Sequence, residues 1–81
     1  MANLGLDREK AMAGFHGQAF RAVRVECSLG LRETAASWGV LASEVTALER
    51  GERRFQSLRD FKDALDQLWT WGAERSTELA R

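Results

Sequence analysis

An all-helical fold is what this sequence predicts, on three observations. Its 81 residues include no Pro, and Ala, Leu, Glu and Arg, all strong helix formers, are plentiful. Apolar residues recur at three- and four-residue spacing in several separate stretches. Gly39 then falls between two such stretches, where a left-handed residue ends one helix sharply before the next begins. The segment 29–51, LGLRETAASWGVLASEVTALERG, therefore reads as a helix-turn-helix.

The length sets one small domain with a single core. Lysines and arginines number 12 against 12 acidic residues, for a formal charge of zero. Isolated DNA-binding domains are commonly basic, because phosphate contacts need Lys and Arg. A neutral chain must concentrate its positive charge locally or bind something else. The single cysteine, Cys27, forms no internal disulfide and sits on an apolar helix face, which predicts a small core residue in a reducing cytoplasm. No apolar run approaches a membrane span and no signal-peptide core appears, so a soluble cytoplasmic protein without a membrane partner is expected.

Residues 1–15 are weakly patterned and read as an N-terminal arm or a short helix capped by Asp7, with Leu4, Leu6, Met12 and Phe15 offering apolar contacts. Gly14 and Gly17 bracket His16 and should break a helix there. From 18 to 27, Ala19, Phe20, Val23 and Cys27 recur at helical spacing; Ser28, Leu29 and Gly30 end that helix, with Leu29 turned inward. A second helix covers 31–38, with Thr34, Ala35 and Trp38 inside. A third covers 42–50, with Val45 and Leu48 inside and Gly51 ending it; Val40, after the turn, should also pack in the core. Residues 52–56 form a charged loop. Ser57 caps a fourth helix, Asp60 completing a capping box, and Leu58, Phe61, Leu65, Leu68 and Gly72 follow one side. Residues 16–72 make the domain, and 73–81 a polar tail or short final helix.

Four groups of residues carry a resemblance to the phage-repressor helix-turn-helix family, the xenobiotic-response-element type of small bacterial and phage regulators. They are Phe20, Arg21, Val23 and Arg24; Arg32, Glu33, Ala35, Gly39 and Val40; Val45, Leu48, Glu49, Arg50 and Gly51; and Ser57 with Leu58 after a basic loop. The resemblance spans 20–68. It implies a compact lambda-repressor-like bundle of four or five helices, the third reading DNA in the major groove. It also implies a partly buried, bidentate structural salt bridge between Arg24 and Glu49.

Carried over by position, the family's base-contacting sites fall on Ala42, Ser43, Glu44 and Ala47. Ser43 can donate or accept, Glu44 can accept from a cytosine amino group, and the alanines can meet thymine methyls. Leu41 stands where relatives place a capping Ser or Thr, leaving Ser43 and Glu44 to serve the helix start. A carboxylate there repels phosphates. Leu31 and Leu41 should leave apolar groups near the same face, which suggests a protein contact. Arg50, Arg53 and Arg54 cluster after the helix, where relatives touch phosphates; Arg32, Arg59 and Lys62 extend that positive rim. Asp63, Asp66, Glu74 and Glu78 make the C-terminal part acidic. Leu68, Trp69 and Trp71 predict a dimer interface, since one small subunit cannot readily bury both tryptophans; the alternative is that Trp69 and Trp71 both cover the N-terminal arm.

The function expected is a small DNA-binding transcriptional regulator, a homodimer on a two-fold double-stranded operator. The alternative is a helix-turn-helix scaffold acting on a second regulatory protein, as an antiactivator or anti-repressor. No nucleophile–base pair, paired carboxylates, phosphate loop or metal-ligand spacing appears, so neither an enzyme nor a cofactor or metal site is expected.

Overall fold

The computed structural model describes residues 4–79, with all side chains except those of residues 4–7, 9 and 79. Four helices account for the fold: α1 (Leu4–Glu26), α2 (Leu31–Trp38), α3 (Ala42–Glu49) and α4 (Leu58–Leu79). Among the described residues there is no strand. α2, α3 and the start of α4 fall where the spacing and caps predict. The two ends of the chain do not.

α1 runs unbroken through Gly14 and Gly17, so the expected break is absent and the expected arm is the first half of a 23-residue helix. Asp7 lies inside α1 rather than at its cap, and the contacts expected of Leu4 and Leu6 lie outside the described side chains. A glycine inside a helix costs about 1 kcal/mol, and the packing shows what offsets it at Gly17. A Cβ there would lie 2.2 Å from the Leu48 carbonyl oxygen and 2.7 Å from that of Glu49. The C-terminal end of α3 therefore rests directly on the α1 backbone. Gly51, at φ 75°, completes the seat: its own Cβ would lie 2.7 Å from the Gly14 Cα. Ala13, Gly17, Phe20 and Arg24 form the buried stripe of α1, at four-three-four spacing. Met12 and Phe15, expected to make apolar contacts, lie off that stripe and are exposed.

Three helices end through the same device. After α1, the Leu29 N–H donates to Arg24 O (3.0 Å) and Ser28 N–H to Val25 O (2.9 Å). Val40 and Gly39 repeat the pattern on Ala35 and Ala36, and Glu52 and Gly51 repeat it on Ala47 and Leu48. These are Schellman motifs, each needing one left-handed residue. Gly39 (φ 72°) and Gly51 supply it without strain, whereas at α1 the residue is Ser28, at φ 56°. Leu29, the next residue, is buried as expected.

α2 is opened by the Glu33 carboxylate, which accepts the Gly30 N–H at 3.1 Å. α4 is opened by Ser57, whose hydroxyl accepts the Asp60 N–H at 3.1 Å. α4 then continues past Gly72 to Leu79, so the expected separate tail is its last two turns. Those turns are held by Arg75, which donates to the Glu33 carboxylate on α2. That bond, and then the Gly30 N–H, hold the Glu33 carboxyl below its ordinary range.

α1 and α4 run parallel. The His16 ring stacks on Phe61 at 4.2 Å, and eleven residues later in each helix Cys27 meets Gly72, where a Cβ would lie 2.8 Å from the Cys27 Cβ. Burial raises the Cys27 thiol above its ordinary value, and Glu26 adds to this. Each long helix spans about 34 Å, and the molecule measures 57 × 20 × 17 Å. The start of α1 and the end of α4 therefore overhang opposite ends. Phe20, Leu29, Ala35, Val45, Ala64 and Leu68 form the buried core. Phe55, from the charged loop, joins it through ring contacts with Phe20 and Phe61. Leu58, expected inward, is exposed at the first turn of α4.

Gly14 and Gly17 should respond oppositely to the same substitution. Nothing lies within 4 Å of a Cβ at Gly14, so Gly14→Ala should raise unfolding free energy by about 0.5–1 kcal/mol. Gly17→Ala should lower it by about 2 kcal/mol or more, since backbone must move. Urea unfolding of both variants checks the pair; equal shifts would exclude the close seat. Ser28→Gly should stabilise the chain by about 1 kcal/mol, as relief of left-handed strain, measured as a rise in denaturant midpoint at unchanged slope.

Candidate nucleic-acid interface

α2 and α3 meet at the Gly39 turn, with Thr34, Ala35 and Val45 buried between them and α1. The side of α3 that faces inward is fixed by more than apolar packing. Arg24 donates from Nε to Glu49 Oε2 at 2.6 Å and from Nη2 to Oε1 at 3.0 Å. A third donation, from Nη1, goes to the Leu29 carbonyl at 2.8 Å. The pairing that the resemblance implies is thus bidentate, with both side chains about nine-tenths buried. It ties the last turn of α3 to α1 and to the α1–α2 connection. Arg21 adds a peripheral contact to Glu49 at 3.9 Å.

With its C-terminal end seated on α1, α3 turns its other side outward. Ser43 is exposed, while Ala42, Glu44 and Ala47 are half-buried; Ala42 also packs against the core. Leu41 is the N-cap residue, and no side chain caps this helix, so Ser43 and Glu44 do not take over that role. Glu44 instead faces Arg53, 3.6 Å away. The carboxylate on the outer face is therefore countered by an arginine from the following loop. Arg50, Arg53 and Arg54 are all exposed, as is Arg32 at the start of α2.

The two leucines separate. Leu41 is 69 % exposed, as expected, but Leu31 packs against the core and adds nothing to an outer patch. Val40, expected in the core, is exposed instead and lines a groove of about 460 Å³ between the α2–α3 corner and α4. Trp38, Leu48 and Phe55 share that groove, with Arg53 and Asp63 among its polar lining. Acidic Asp60 and Asp63 thus meet the basic loop in space, although the sequence puts acidic charge mainly further along. Lys62, expected on the positive rim, lies on the opposite side of α4 from Asp60, Ala64 and Gln67 by helical spacing.

The expected dimer residues also divide. Leu68 is fully buried in the core and has no surface to offer a partner. Trp71 is half-buried and meets Trp38 edge-on at 6.2 Å, so a second subunit is not needed to cover it. Trp69 remains 52 % exposed. The His16–Phe61 stack and the inward turn of Phe55 were not anticipated; an isolated aromatic inside a charged loop is the signal that could have revealed the latter.

Compared with protein-family models, curated proteins and solved structures, the chain gives no significant match. No helix among the described residues is long and apolar enough to cross a membrane.

The Arg24–Glu49 clamp should behave as a buried pair. Glu49→Leu and Arg24→Met should each destabilise the fold by about 3–5 kcal/mol, because each strands a buried charge. The double variant should lose far less than the sum. A urea double-mutant cycle reads this; additive losses would mean that the pair contributes no coupling.

Proposed function

We propose that the chain is a small DNA-binding transcriptional regulator in which α2 and α3 act as a helix-turn-helix of the phage-repressor kind. α3 enters the major groove with Ala42, Ser43, Glu44 and Ala47 toward the bases. Arg50, Arg53 and Arg54 contact the flanking phosphates, and Arg32 contacts backbone from the start of α2. The observation that carries this reading is the seating of α3. Its last turn is clamped to α1 by Arg24 and Glu49, while Ser43 and three arginines beyond its C-terminal end stand exposed. With one hydroxyl, one carboxylate and two methyls as readers, sequence preference leans on arginine contacts and DNA shape.

Leu41 favours a second reading. A leucine exposed at the tip of α3, with Val40 beside it, suits docking on another protein better than approach to a phosphate. On that reading the same scaffold acts as an antiactivator or anti-repressor.

Titration against duplex DNA from upstream of its own gene, over a range of salt, separates the two. DNA binding should weaken steeply with salt, and Arg53→Ala/Arg54→Ala should flatten the log–log slope by about 2, one unit for each phosphate left without its arginine. No specific complex at any salt would overturn the DNA reading. Leu41→Ser should leave DNA binding intact or improve it on the first reading, and should abolish partner binding on the second.

A further inference from the structure

Four of the large exposed apolar side chains gather on one surface, away from α2 and α3. On α1, Met12, Phe15, Ala19, Ala22 and Glu26 follow one helical stripe, largely opposite the buried one. On α4, Leu58, Lys62, Leu65 and Trp69 follow another. The parallel packing of the two helices sets these stripes side by side, and they touch at both ends. Met12 and Leu58 line one cleft, and Glu26 and Trp69 line another. Met12 is 49 %, Phe15 73 %, Leu58 57 % and Trp69 52 % exposed. α1 thus carries an apolar stripe on its exposed side, between Arg8 and Glu26 and flanked by Gln18 and Arg21, where a helix exposed on one side normally carries polar residues throughout.

We propose that this joined α1–α4 face is a homodimer interface, with two copies packed antiparallel across a two-fold axis. Three features select a second copy as the occupant. The face has opposite charge at its two ends: Arg8 and Arg54 line the Met12–Leu58 cleft, while Glu26 lines the Trp69 cleft, where Arg75 is engaged by Glu33. A two-fold axis across the helices lays each end on its opposite in the other copy, so the surface complements itself. Ala19 and Ala22 lie midway, where the axis passes and the copies approach most closely. The area suffices as well. A specific interface of about 1,200 Å² in total takes roughly a tenth of the 6081 Å² surface from each copy. From Arg8 to Glu26 the face runs about 27 Å, and two helices each about 10 Å across make it about 20 Å wide, roughly 540 Å² before side-chain relief is counted. The interface leaves α3, Arg50 and Arg53 uncovered, with Arg54 at its Met12–Leu58 edge, and it stands whether or not α3 meets DNA.

Sedimentation equilibrium of the full chain tests this without DNA. The wild type should sediment at twice the chain mass of 9.1 kDa. Phe15→Glu and Trp69→Glu should each weaken dimerisation at least about tenfold, with helical circular dichroism retained because both side chains are exposed in the monomer. Glu26→Lys and Arg8→Glu should each weaken it, and the double variant should recover much of the loss. Leu41→Glu, on the other surface, should leave the dimer unchanged. A wild type that stays a monomer at submillimolar concentration overturns the proposal, including one that instead coats lipid vesicles or takes up another protein. So does a dimer that survives Phe15→Glu and Trp69→Glu undiminished, or one that the charge-swapped pair fails to restore.

Discussion

The arrangement of the helices depends on the contact at Gly17, where the carbonyl oxygens of Leu48 and Glu49 occupy the space of a missing Cβ. Helix axes normally stay 8–10 Å apart because side chains hold them there. Removing one lets the end of a short helix press onto the backbone of a long one. Once the last turn of α3 is placed there, the next contact follows from geometry. Arg24 lies two turns further along the same face of α1, within reach of Glu49, and closes the bidentate pair. α3 is then held by its C-terminal turn and its inward side, and its first turn projects away from α1. An eight-residue helix is too short to be stable by itself. Its orientation is therefore a property of the glycine and the clamp as much as of its own sequence.

The zero net charge acquires a physical meaning in this arrangement. Glu49 is bound to Arg24, Glu33 to Arg75, and Glu44 lies beside Arg53. Each pair joins different parts of the chain: α1 with α3, α2 with the end of α4, and α3 with the loop after it. Several acidic residues thus serve to position basic ones from distant elements, which makes the overall balance a poor guide to the local surface. The pairs differ in worth. The buried one is strongly coupled to the fold, whereas an exposed pair contributes at most about 1 kcal/mol.

What was legible in the sequence was what is decided locally. The bounds of α2, the Gly39 turn and the Ser57 cap each rest on a few adjacent residues, and each stands where the spacing predicts. The misreadings share a different cause. Gly14 and Gly17 carry a local helix penalty that is visible in sequence, but the close approach that offsets it at Gly17 belongs to α3, about thirty residues away. The last turns of α4 read as a tail because their polar residues show no apolar stripe; the contact that anchors them, Arg75 to Glu33, comes from α2. Leu68 and Trp71 share an apolar stretch with Trp69, but helical geometry sends the first into the core and the second against Trp38, leaving Trp69 outside. On the candidate DNA face, residue types were legible while Glu44's neighbour was not, since Arg53 returns to it only through the turn at Gly51.

The two glutamates of α3 stand in opposite settings on one short helix. Glu49 sits at the buried end, where losing its partner would leave a charge without water, so its arginine is committed to the fold. Glu44 sits one and a half turns earlier, partly exposed, with Arg53 at 3.6 Å and more exposed still. That pairing is weak enough for a phosphate oxygen to compete for the guanidinium. If Arg53 moves to a phosphate, Glu44 loses its counter-charge beside a polyanion, and the net gain falls unless a base donor such as a cytosine amino group takes its place. On the DNA-binding reading, the Glu44–Arg53 pair therefore couples a backbone contact to a base contact. A duplex offering a donor opposite Glu44 satisfies both, and one lacking it is penalised through the same arginine. Such coupling gives a face with few direct readers a means of discrimination.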